Sequence, residues 1–565
     1  MESKKQPSSD ATVAAIPAAQ VPATKTGEQA ARARIHIKQP VQLGLVVLFL
    51  GWLFDLLFWK SLIGANFALF SVISVLAGLI LLVVEGYRPA RNTLWLLLPF
   101  LFFVVITMIR QEPLTIFLAY TFVLFSMGLL ASTYLGGRWF QYGLADYFSK
   151  VIRLLAGILY LPTEFFTQVR KEQVERESNK RSFPLWALVR GVVIAIPIVA
   201  LFAFLLASAD VVFKQKLGEF FALFNPGNLA EYFLRLILIL ICAYIVGGVF
   251  LHAASQSRDE KLIGEEKPVV KPFLGFTESA VVLASVSILF IAFVIIQFQY
   301  FFGGETNIGV AGYTYSQYAR RGFNELVIVA FCSLVMILGL STVTRREHET
   351  EKRIYSGLSV GIVALVMVIL VSAYQRISLA IDWHGFSRLR IYPRVFLVWL
   401  GVLLVAVVLL EIFRRERYFA FAAVLASLGF AISLTLVNVD AAIVKHNVPR
   451  VLQGKNLNVA HLASLSADAV PALVQEYQST VYPQSVHEGL GAALACYLYA
   501  YSSSGVDAND WRSFNLSRWQ AYDALRQVQF SLQDYGMNDN RWPVRARTPS
   551  NVLYDCLYYD STEEE

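Results

Sequence analysis

The residues of this 565-residue chain best suited to chemistry collect in three short stretches. The first, Tyr313–Glu325, reads YTYSQYARRGFNE and carries Arg320, Arg321 and Glu325. Arg321 and Glu325 are four apart, so on a helix they share a face. The second, Asp382–Arg394, reads DWHGFSRLRIYPR and packs Asp382, His384, Arg388, Arg390 and Arg394 together. The third, Asn438–Arg450, reads NVDAAIVKHNVPR and adds Asn438, Asp440, Lys445, His446, Asn447 and Arg450. Guanidinium groups at this density can hold a phosphate or carboxylate by forked hydrogen bonds. A carboxylate such as Glu325 or Asp382 can serve as a general base if its pKa and geometry suit. Two readings therefore stand. The stretches build one outward-facing polar pocket, or they pair to fasten loops, with Arg snorkelling to headgroups and Tyr and Trp as interfacial anchors. Fastening is the commoner use of such residues.

The usual catalytic and cofactor motifs are missing. There is no GxxxxGK phosphate loop, no GxGxxG after a strand, no HExxH and no GxSxG. No His, Cys and Asp residues have metal-ligand spacing. No cofactor and no metal are expected. Cys242 and Cys332 sit in apolar runs and read as small core hydrophobes. Cys496 and Cys556 can pair only in an oxidising compartment.

The elements that must position these residues are membrane spans. The chain is 56% hydrophobic and 16% charged, with a mean hydropathy of +0.54. Soluble domains carry roughly 25% charged residues. This composition excludes a soluble enzyme, a disordered chain and a secreted disulfide scaffold. Residues 1–40 are rich in Ala, Pro, Thr, Gln and Lys and read as a disordered tail. Eleven apolar runs of bilayer length follow, near 41–59, 64–84, 93–109, 114–134, 185–208, 231–253, 276–298, 324–343, 356–374, 394–412 and 417–437. Each must be a helix, because in lipid only a helix satisfies its own backbone. Asp55, near the middle of the first run, reads as a satisfied polar group in the bundle interior. Two amphipathic segments, 141–166 and 211–224, suit the membrane interface. The fold class expected is all-α, a polytopic transmembrane bundle at 41–437 with a small helical extramembrane domain at 438–565.

Charge orients the bundle. With the N-terminus in the cytoplasm, the inner segments hold about 27 Lys/Arg and the outer loops about 10, the positive-inside asymmetry. An odd span count then puts the C-terminal domain outside. From Asn438 onward, 9 Lys/Arg face 14 Asp/Glu, a balance of −5. The remainder holds 39 basic and 27 acidic residues, so the positive excess belongs to the membrane part. No basic stripe on a soluble face calls for nucleic acid. In the C-terminal region Leu462, Leu465, Val470 and Leu473, then Leu490, Leu494 and Leu498, then Trp519, Tyr522, Leu525 and Val528 recur at helical spacing. They predict three or four amphipathic helices.

Five stretches resemble a known family. YSQYARRGFNEL, HGFSRLRIYPRVFLVWL, NVDAAIVKHNVPR, HLASLSADAVPALV and DWRSFNLSRWQA occur in that order over roughly residues 230–530. They resemble a bacterial multi-pass membrane family known as domain of unknown function 4173. The resemblance implies a polytopic helical bundle in the bacterial cytoplasmic membrane with a C-terminal helical extension. It attaches no reaction, ligand or cofactor to any residue. The matching positions are Arg320, Arg321, Glu325, Arg388, Arg390, Asn438, Asp440, Asn447 and Arg450.

Three functions compete. The leading one is a non-enzymatic envelope scaffold or sensor that presents the C-terminal domain to a protein partner. The second is a transporter or lipid-handling protein whose outward arginines hold an anionic lipid or solute. The third is a transferase or hydrolase at the membrane interface. The absence of catalytic motifs leans away from an enzyme.

Overall fold

The computed structural model describes residues 37–177, 229–258, 262–263, 271–302, 323–503, 510–539 and 542–556, with scattered residues between 195 and 216. Most of the expected tail, most of the span expected at 185–208 and most of the segment expected at 211–224 lie outside the described residues. Among the described residues, ten helices are long and apolar enough to cross a membrane, and they coincide with the other ten runs.

The first half comprises α1 (Pro40–Phe58), α2 (Ala65–Val84), α3 (Arg91–Ile109) and α4 (Pro113–Ser132). Proline at the first position starts α1 and α4, where its missing N–H costs nothing. Glu112 caps α4 by accepting from the Leu114 and Thr115 amides. The amphipathic α5 (Leu144–Glu177) follows, then the span α6 (Leu229–Ser255). α1 packs along α6. Gly51 permits that approach, since a Cβ there would lie 2.4 Å from the Ile239 carbonyl oxygen. Asp55, buried in α1, takes a forked contact from Arg235 of α6 at 2.6–3.1 Å. It is a satisfied interior group.

The second half comprises α7 (Phe276–Phe302), α8 (Phe323–Val343), α9 (Glu349–His384), α10 (Arg388–Ile412) and α11 (Phe419–Val437). α7, α8 and α10 all pack on α9, and α11 joins the halves by touching both α10 and α4. α9 has 36 residues, about 54 Å of helix. That is longer than the roughly 30 Å of a hydrocarbon core. Large apolar side chains stay exposed along the spans, among them Leu45, Ile80, Leu98, Phe117, Ile288 and Val398. Such a surface suits contact with lipid.

α5 passes by the residues at one end of the bundle. Asp146 accepts from the Ile263 amide, Gly157 abuts His252 of α6, and Val169 packs in the cluster that holds Ile37 and Leu43. Its outward face carries Leu144, Phe148, Val151, Leu155 and Leu159.

The C-terminal residues form a cap on the opposite end. It contains α12 (Val439–Asn447), α13 (Val459–Ala463), α14 (Val470–Tyr477), α15 (Gln484–Ser503) and α16 (Leu516–Val528). Leu462, Leu465, Val470, Leu473, Leu490, Leu494, Leu525 and Val528 are buried as their spacing predicts. Trp519 and Tyr522 are exposed instead, because Ser517, Ala521 and Ala524 form the buried stripe of α16 with Leu525 and Val528. The cap is not purely helical. Strands β1 (Gly536–Asn538), β2 (Arg545–Arg547) and β3 (Leu553–Asp555) make a small antiparallel sheet, pairing Met537 with Ala546 and Ala546 with Tyr554. Three-residue strands are too short to show alternation in sequence. A Cys496–Cys556 disulfide ties α15 to the end of β3. The apolar core of the cap runs on into Ile391 of α10 and Leu434 of α11.

Candidate functional site

The polar stretches converge where the cap meets the bundle. Chain geometry begins the site. α9 ends at Gly385, which adopts φ 81° and ψ −178°. A side chain there would put its Cβ 2.4 Å from Asn447 Oδ1 and 2.8 Å from Arg450 Nη1. That bare backbone lets the first cap helix dock. Asn447 then pairs with Phe386 as one strand pairs with another. Its Oδ1 accepts from the Phe386 amide at 2.7 Å, and its Nδ2 donates to the Phe386 carbonyl at 2.8 Å. Arg450 donates to the carbonyls of Ile381, Asp382 and Trp383, at 3.0, 2.5 and 3.2 Å. It satisfies the orphan acceptors of the α9 terminus and complements the negative end of that helix.

Asp440 is the centre of charge. It has no solvent exposure. Arg388 forks onto it, Nε at 2.8 Å and Nη2 at 2.5 Å, and the Ser466 amide adds a third bond at 2.7 Å. Asn438 makes this possible. It stops α11 in the left-handed conformation, φ 47°, and its side chain caps α12. Arg390 donates to the Gly385 carbonyl at 3.0 Å. Arg394 donates to the Tyr374 hydroxyl at 3.0 Å and lies over that ring. His446 stacks on Phe386, centroids 3.8 Å apart. Burial, with help from Arg450 and Arg394 and against Asp382, pushes the His446 pKa below its ordinary value.

The structure thus brings together Arg388, Arg390, Asn438, Asp440, Asn447, Arg450 and the backbone of Asp382. Arg394 stands one turn deeper, against α9. The Asp382 side chain is exposed. Glu325 is exposed in the first turn of α8 and makes no contact with this group among the described residues. Arg320 and Arg321 lie outside the described residues. Every described arginine of the three stretches is engaged with a carboxylate, a carbonyl or a hydroxyl.

Sequence reasoning missed a second lock of equal weight. Asp468, almost fully buried, accepts from the amides of Gln111 and Glu112, each at 2.7 Å. Those residues form the α3–α4 turn. Arg110 of the same turn lies 3.6 Å from Asp468 and donates to the Thr435 carbonyl at 2.9 Å. Glu112, in turn, accepts from the Tyr392 hydroxyl of α10. Asn515 caps α16 and donates to the carbonyls of Thr107 and Arg110. Arg512 and Arg518 reach the carbonyls of Leu56 and Ile63 around the α1–α2 turn. The signal was present. Ser466 and Asp468 form a Ser-x-Asp turn in which the Ser466 hydroxyl bonds both the Asp468 amide and its carboxylate, holding that carboxylate toward the Gln111 and Glu112 amides.

Across residues 97–476 the chain matches the model of the family described as Domain of unknown function (DUF4153). The chain belongs to that family. The DUF4153 match corrects the family number expected from the motifs, 4173, while keeping the idea of a membrane family without an assigned activity. It begins earlier than the expected resemblance and takes in α3 from residue 97 onward, the Gln111–Glu112 turn and α4. It ends before Asn515. Both halves of the Asp468 lock and of the Asp440 lock therefore fall inside the DUF4153 region. No curated protein and no solved structure matches the chain. DUF4153 membership and ten span-length apolar helices make this an integral, multi-pass membrane protein.

Proposed function

We propose that this protein is a non-enzymatic scaffold or sensor of the bacterial cell envelope, which holds its cap at the outer face of the cytoplasmic membrane for a protein partner. The observation that carries the reading is the Asp468 contact. A buried carboxylate of the cap accepts hydrogen bonds from two backbone amides of a bundle turn, which ties the cap to the bundle. A mount tied down in this way suits display and signalling. The cap also exposes large aromatic side chains, Trp511, Trp519, Phe530 and Trp542. Aromatic anchors are enriched at protein interfaces. The positive-inside asymmetry and the Cys496–Cys556 disulfide both support a cap outside the cytoplasm.

A photo-crosslinking residue placed at 519 or 530 in living cells tests this reading. A discrete protein adduct is expected from both positions, weakened by Trp542→Ala and absent from a probe at exposed position 389 on α10. Cells that yield no adduct from either cap position, at normal protein levels, would rule the reading out.

A further inference from the structure

The end of the bundle opposite the cap holds a cleft of about 860 Å³ between the turn after α8, the first turns of α9 and the end of α10. Five cationic side chains line it, Arg345, Arg346, Lys352, Arg353 and Arg414, against three carboxylates, Glu347, Glu411 and Glu416. Their engagements differ. Arg346 is committed to the wall, 3.3 Å from both Glu411 and Glu416 and 4.5 Å above the Tyr355 ring. Lys352 and Arg414 share one carboxylate, Glu349, at 2.9 and 2.5 Å, which leaves that trio net positive. Arg345 donates Nε to the Pro272 carbonyl at 2.8 Å, and among the described residues its terminal nitrogens have no acceptor. Arg353 is exposed and has no partner among the described residues.

The floor is fixed. Leu274 and Thr344 form an isolated parallel bridge, the Arg345 amide donates to the Leu274 carbonyl at 2.9 Å, and Ser279 meets Thr344 at 2.6 Å. Arg345 is therefore held from both its backbone and its Nε. The cleft is far larger than an inorganic anion and within the roughly 300–1,000 Å³ of organic-ligand sites. It sits at the ends of spans, beside Ile412 and Phe413, which expose 53% and 68% of their surface. Forked guanidinium donors match phosphate oxygens.

We propose that this cleft binds an organic phosphate, with Arg345 and Arg353 as its principal donors and an anionic phospholipid headgroup or a soluble phosphate ester as the source. This site is distinct from the arginine stretches under the cap.

The test uses the full-length protein in phosphatidylcholine nanodiscs. Native mass spectrometry follows retention of added phosphatidylglycerol, with glycerol 3-phosphate as soluble competitor. The wild type is compared with Arg345→Gln/Arg353→Gln and with Arg170→Gln/Lys171→Gln, which removes equal charge from α5. Thermal unfolding of each is recorded, and Arg353→Gln alone stands in if the double variant is unstable. At least tenfold weaker retention is expected in the cleft variant, with the α5 variant within twofold of wild type. Displacement by glycerol 3-phosphate points to a soluble ester, and retention in its presence points to the lipid. Wild type that holds neither probe, a cleft variant within twofold of wild type, or equal loss in the α5 variant overturns the proposal.

Discussion

Arg388 and Asp440 stand 52 residues apart in sequence and meet through two hydrogen bonds, at 2.8 and 2.5 Å, across the line where the bundle ends and the cap begins. Asp440 is wholly buried, while the Arg388 side chain keeps 24% of its surface. The pair fixes the register of α12 against the start of α10. It also leaves a clear liability, because neither charge has a second opposite partner among the described contacts.

Breaking that pair from one side strands a charge. Asp440→Asn should lower stability by about 3–5 kcal/mol, the usual result of orphaning one member of a buried pair. Arg388→Gln should cost a similar amount. The double variant should lose less than the sum of the singles, because the two residues share one interaction. Thermal unfolding in detergent, followed by tryptophan fluorescence, gives all three values. Strict additivity would show that the pair is not coupled.

Gly385 tests the close approach of α9 to α12. Its φ of 81° with an extended ψ is territory that only glycine enters freely. Gly385→Ala adds a Cβ 2.4 Å from Asn447 Oδ1, so the Asn447–Phe386 pairing must open. A loss of about 2–4 kcal/mol is expected from strain and lost hydrogen bonds together. Limited proteolysis should then cut between His384 and Arg388, where the wild type resists.

The Cys496–Cys556 bond closes a loop with a sequence separation of 60. A loop of that length corresponds to about 4 kcal/mol of denatured-state entropy. Reduction, or Cys556→Ser, should lower the unfolding temperature of the cap and leave the spans folded. Thiol labelling of protein taken straight from the membrane should find these two cysteines blocked. Free thiols at both positions would contradict the bond and the proposed outside placement of the cap together.

Acidification should loosen the junction from the His446 side. The folded-state pKa of His446 lies below the ordinary 6.5 because of burial and the neighbouring arginines. A group with a depressed folded pKa favours the folded state above its unfolded pKa and withdraws that support as pH falls. Stability should therefore decline as pH drops below about 6.5. Asp510, held low by its hydrogen bond from Arg512, adds a later decline below its ordinary value of 3.8. His446→Gln should flatten the first step and leave the second. An unchanged profile between pH 7 and 5 in both proteins would show that His446 is not a contributor.

The spans were legible because their cause is local. A run of about twenty apolar residues has to be a helix in lipid whatever surrounds it, and ten such runs appear where the sequence places them. The buried leucines of the cap were legible for the same reason, since the 3.6 period belongs to each helix alone. Trp519 showed the limit. Helical spacing names two candidate faces of α16, and only the docking of α14 decides which one is covered.

The sequence by itself determined a multi-pass membrane bundle with a helical C-terminal region, and it marked the stretches that matter at the junction. The tertiary structure alone decided what those stretches do. Arg388 finds Asp440, Arg450 finds the end of α9, and Asp468 finds Gln111 and Glu112, some 357 and 356 residues away. A charge carries no record in its own neighbourhood of which partner it will meet, because that choice is made by helices packing from distant parts of the chain. The same reason hid the Arg345 cleft, whose walls come from four separate segments, and the three-residue strands, whose pairing exists only once the cap has closed.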